Sequence, residues 1–141
     1  MGTTALVSAI GALPIYAKAQ NLSAGEDFTV NTGVTVTGNP AVTVGNVAAS
    51  SINNFGTIFS NGSSGIFIDQ NNSDITSGIT NHTGALISGN TYGIEYNFFA
   101  QNTGGIVNAQ EATIWGGTSG IRVNAYGNID GNINNSGQIS G

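Results

Sequence analysis

The sequence predicts an all-β fold: a right-handed single-stranded parallel β-helix with three short strands per coil, about 27 residues per coil and four to five coils. Three observations carry this. Isoleucine and asparagine recur together at a fixed step. Each period holds three Val/Ile-rich segments separated by Gly, Asn and Ser. Charged residues are too scarce for a conventional solvated surface.

The recurring triplets are Ile52-Asn53-Asn54, Ile79-Thr80-Asn81, Ile106-Val107-Asn108 and Ile133-Asn134-Asn135, so each step from isoleucine to isoleucine is 27 residues. In a strand, alternate side chains share a face. Ile52, Ile79, Ile106 and Ile133 therefore form a core ladder, and Asn54, Asn81, Asn108 and Asn135 a structural ladder at the strand ends. An inward asparagine amide can bond both the turn backbone and the next amide. A second anchor comprises Gly56-Thr57-Ile58, Gly84-Ala85-Leu86, Ala112-Thr113-Ile114 and Gly137-Gln138-Ile139. A third comprises Gly65-Ile66-Phe67-Ile68, Gly93-Ile94-Glu95-Tyr96 and Gly120-Ile121-Arg122-Val123. Three such strands cannot bury an apolar face alone, but stacked copies can. A β-sandwich gives no reason for the fixed step.

The repeats divide as 51–78, 79–105, 106–132 and an incomplete 133–141. Residues 20–50 form a degenerate N-terminal coil or cap, with alternating strands at 28–30, 34–36 and 41–44 and slightly shorter spacings. Residues 1–19 differ. An apolar run from Ala5 to Ala17 precedes Ala17-Lys18-Ala19, the pattern of a signal-peptide h-region and cleavage site, although no basic residue precedes the run. The expectation is a signal-peptide remnant; the alternative is a short buried segment opening the fold.

Composition excludes several functions. The formal net charge is −5, and Lys18 and Arg122 are the two basic residues, so there is no electrostatic footprint for nucleic acid. With no cysteine there is no disulfide framework, thiolate metal site or cysteine nucleophile. No G-x-S-x-G, P-loop or H-E-x-x-H motif occurs, and no cofactor or metal is expected. The segment "DQNNSD" at 69–74 has calcium-friendly oxygens without an established spacing. The acids Glu26, Asp27, Asp69, Asp74, Glu95, Glu111 and Asp130 show no matched pair of the kind a glycosidase needs. Glu95 and Arg122, 27 apart, are expected to point outward on adjacent coils as a surface ion pair. His82 is expected to be a turn residue. Phe59, Ile87 and Trp115, at steps of 28, are expected to point outward as a candidate binding stripe, unless Phe98 and Phe99 fold over it.

The phrases "INNFGTIFSNGSSGI", "GITNHTGALISGNTYGI" and "INNSGQISG" resemble the I-x-N-x-G-x-I repeats of type V autotransporter passenger domains, over about residues 21–141. That resemblance implies an exported Gram-negative scaffold at the cell surface, often adhesive; the expected role is structural or adhesive without catalysis, with a host-surface protein or glycan as partner. It implies contact with the membrane only through a C-terminal translocator barrel, which these residues do not contain. The sequence stops within a fourth repeat, so an N-terminal fragment is expected, associating with itself through an open C-terminal edge. The other readings are a carbohydrate-active β-helix enzyme fragment and a self-assembling β-solenoid.

Overall fold

Each Val/Ile-rich segment is only three to eight residues long, too short to be stable without a neighbour on either side. The chain supplies those neighbours by coiling. A computed structural model of the chain describes residues 4–7, 15–70 and 72–141. The described elements are all strands, and they pair in parallel as a β-solenoid of about four turns.

Three faces run the length of the solenoid. The first stacks Thr4–Val7, Asp27–Val30, Ala48–Asn54, Asp74–Asn81, Ile106–Asn108 and Ile133–Asn135. The second stacks Ile15–Ala17, Val34–Gly38, Thr57–Ser60, Leu86–Gly89, Thr113–Gly116 and Gln138–Ser140. The third stacks Gln20–Asn21, Val42–Gly45, Ile66–Asp69, Tyr92–Tyr96 and Ser119–Val123.

On the first face the register places Ile52 on Ile79, Ile79 on Ile106 and Ile106 on Ile133, with the asparagines stacked alongside. Ile52, Ile79 and Ile106 are buried, whereas Ile133, in the last coil, is 48% exposed. The degenerate segment is a full coil. Phe28, Val30, Val34, Val36, Val42 and Val44 are all buried, and Phe28 pairs with Ile52, a step of 24. The shorter step reflects tighter turns, and the inward positions stay aligned. Much of the apolar run assigned to a leader, residues 8–14, lies outside the described residues, as do residues 1–3. Either side of that gap, Thr4–Val7 pairs with Asp27–Val30 and Ile15–Ala17 with Val34–Val36.

The solenoid has a fourth side that the three-strand reading lacks. Ala48 and Ala49 pair with Asp74 and Ile75 before an irregularity in register between Ile75 and Gly78. One coil on, Gln101–Asn102 pairs with Asn128–Ile129 as a separate short ladder. The bend into the first face needs glycine. Gly78 has φ +90°, and a Cβ there would come within 2.7 Å of the Gly105 carbonyl oxygen and 2.8 Å of that of Gly104. Backbone thus approaches backbone where no side chain fits.

Stacked burial makes the cost of truncation depend on the coil. Ile79→Ala and Ile106→Ala each open a cavity between two covered neighbours and should cost about 2–5 kcal/mol. Ile133→Ala, at a half-exposed position, should cost a small fraction of that; urea denaturation of the three variants checks the ranking.

Candidate functional site

The buried asparagines of the ladder spend their amides on one another and on the corner backbone. The Asn54 amide nitrogen donates to Oδ1 of Asn81 at 2.8 Å and to the Leu86 carbonyl at 2.9 Å. Asn81 donates to Asn108 at 2.9 Å and to the Thr113 carbonyl at 3.0 Å. Asn108 donates to Asn135 at 2.8 Å and to the Gln138 carbonyl at 3.1 Å. Oδ1 of Asn54 also accepts from the Gly56 amide in its own turn. Asn54, Asn81 and Asn108 are buried and Asn135 is exposed. This is a structural ladder, whose buried amides are satisfied by one another and by the corner backbone.

A second polar column, not anticipated from the sequence, runs where the third face ends. Asn124 donates to Oδ1 of Asn97 at 3.1 Å, and Asn97 donates to Oδ1 of Asp69 at 3.0 Å. Close by, the Tyr96 side chain is fully buried, and its hydroxyl accepts from Asn102 at 2.8 Å. Burial pushes that phenol far above its ordinary range, so it stays neutral.

The outward stripe needs a correction. Phe59 and Trp115 are 40% and 41% exposed, but Ile87 is fully buried. The register places Ile87 on Ile58 and Ile114, and Ser88 on Phe59 and Trp115. Ile87 therefore belongs to the core, and the outward column is Phe59, Ser88, Trp115. The physical reason lies in the preceding turn. Gly84, taken as the counterpart of Gly56, sits in a longer turn at φ +74°, and Glu111 takes the matching left-handed position one coil later at φ +63°. Ala85, not Gly84, aligns with Ala112, because Leu86 bonds the Gly56 carbonyl and Thr113 that of Ala85.

Nor do the phenylalanines cover that column. Phe98 and Phe99 are 50% and 48% exposed, and Phe99 stacks on Tyr126 with ring centroids 4.8 Å apart. Both residues of this stack have positive φ at equivalent corners of successive coils. The exposed aromatics thus include Phe59 and Trp115 on the second face, and Phe98, Phe99 and Tyr126 at a corner.

Six of the seven acids, Glu111 apart, are engaged separately. Asp27 accepts from the Ser51 hydroxyl at 2.7 Å, a bond that holds its carboxyl below the usual value. Glu26 accepts from the Ser23 amide, and Asp74 from the Thr103 amide and hydroxyl. Asp130 accepts from the Asn128 amide. Glu95 lies 3.5 Å from Arg122 in the expected pair, and the guanidinium also donates to the Tyr92 hydroxyl and lies over its ring. Among the described residues, no three His, Cys, Asp or Glu side chains are grouped to hold a metal. Position 71 of the "DQNNSD" segment lies outside the described residues, and Asp69 and Asp74 are engaged as above.

His82 occupies a turn and stacks on Phe55, centroids 3.7 Å apart, with Nε2 buried and without a hydrogen-bond partner. Burial lowers its pKa from 6.5. The unfolded chain therefore takes up the proton first as pH falls, so stability contributed by neutral His82 is present above about pH 6.5 and declines below it. His82→Phe should flatten the loss of urea resistance between about pH 7 and 5. Asn81→Ala strands partners above and below and should cost about 1–3 kcal/mol, whereas Asn135→Ala should cost less; thermal melts compare the two. The chain matches no family model, no curated protein and no solved structure.

Proposed function

We propose that the chain is a segment of an exported, autotransporter-like passenger, a surface scaffold without catalytic activity that attaches to a host-surface protein or glycan. The observation that carries this reading is the division of labour among side chains. Every carboxylate but that of Glu111 is spent singly on neighbouring strands and turns, while the large aromatics Phe59, Trp115, Phe98, Phe99 and Tyr126 stand outside. A carbohydrate-cleaving enzyme needs two carboxylates free to act on one bond. An adhesive surface needs exposed rings on a rigid support. The repeat resemblance favours export to the cell surface of a Gram-negative bacterium, with the membrane reached through a translocator barrel elsewhere.

Two measurements test the main reading. Antibody against the chain should label intact producing cells, and retention in the cytoplasm of the native protein would overturn export. Purified protein should coat host cells, and Phe59→Ser with Trp115→Ser should reduce the bound amount severalfold while leaving the melting temperature nearly unchanged.

A further inference from the structure

On the third face, outward side chains stack as Thr43, Phe67, Glu95 and Arg122 on successive strands. Beside this column lies a depression of about 270 Å³ lined by Pro40, Ser63, Ser64, Phe67, Glu95 and Asn97. Its walls come from three successive coils: Pro40 from the turn before Val42, the two serines from the turn before Ile66, and Glu95 and Asn97 from the next strand and its exit. We propose that this depression binds one neutral pyranose ring of a glycan, which gives the adhesive reading a ligand class and rests on that reading.

Four features select such a ligand. The volume falls below the roughly 300–1,000 Å³ of pockets for drug-sized molecules, so it suits one ring. Phe67 provides a partly exposed aromatic surface for the apolar side of a sugar. The hydroxyl oxygen of Ser63 is buried with no hydrogen-bond partner, and a buried hydroxyl calls for one. Finally, the carboxylate is already engaged. Glu95 accepts from the Ser64 hydroxyl at 2.5 Å through one oxygen and faces Arg122 at 3.5 Å through the other. Charge within the site is thus compensated, which disfavours a cation or an anion and leaves a polar wall suited to neutral hydroxyls. The Asn97 amide, held between Asp69 and Asn124, makes that wall rigid. A site prepared in this way loses little freedom on binding.

Saturation-transfer NMR on the purified chain with the methyl glycosides of glucose, galactose, mannose and N-acetylglucosamine tests the proposal. Transfer to at least one glycoside is expected. It should fall at least tenfold in Phe67→Ala and in Ser63→Ala, variants altered outside the core and checked for folding by circular dichroism, and persist in Trp115→Ser. Absence of transfer from all four at millimolar concentration, or transfer undiminished in both depression variants, overturns the proposal. If the wild-type chain coats host cells yet shows no transfer, the sugar site falls and the adhesive reading stands.

Discussion

The core depends on inward side chains lying directly above one another from coil to coil. A strand of three or four residues has little apolar surface of its own and two unpaired edges. Parallel stacking at roughly 4.8 Å solves both problems at once: the backbone groups pair, and inward side chains cover one another, as Ile52 and Ile106 cover Ile79. The constraint is on phase more than on composition. A coil can be shortened, as between Phe28 and Ile52, or lengthened at a turn, as before Ile87, provided the inward residues return to their columns. Turns absorb the difference, as the two added residues between Asn81 and Leu86 do.

The same constraint governs the polar interior. An asparagine at the inward end of a strand would be costly in isolation, since its amide is removed from water. Stacked at the same position in each coil, it gains the next amide as a partner and closes its own corner. The N-terminal end of the ladder shows what replaces it. Val30 occupies the column beneath Asn54, so one coil tolerates an apolar residue where polar atoms are otherwise paired. Asp69, Asn97 and Asn124 repeat the device at another corner, this time terminated by a carboxylate that only accepts.

How much was legible in the sequence follows from the strength of each signal. Ile52, Ile79, Ile106 and Ile133 keep an uninterrupted phase, so their stacking and that of the adjoining asparagines could be read directly. The second face could not be aligned as safely. Gly84 looked like the partner of Gly56, although a left-handed turn position can also be filled by Glu111, and the assignment slipped one residue, turning Ile87 outward. A slip of one inverts every side chain of a strand. The fourth side gave no signal because Gln101–Asn102 is only two residues long and polar. The depression beside Phe67 was illegible for a different reason: Pro40, Ser63 and Glu95 belong to different coils and share no motif.

A solenoid of this kind separates scaffold from recognition within each strand. Inward positions are bound by phase and must fill the space between two coils. Outward positions carry no such restriction, which is why Thr43, Phe67, Glu95 and Arg122 can follow one another on a single column with unrelated chemistry. Neighbouring outward residues are also one strand apart, close enough for Glu95 to meet Arg122 and Ser64 directly. Recognition surfaces on such a fold are therefore assembled across coils. Their chemistry is to be sought in outward columns and at corners, where the rings of Phe99 and Tyr126 already meet in the same way.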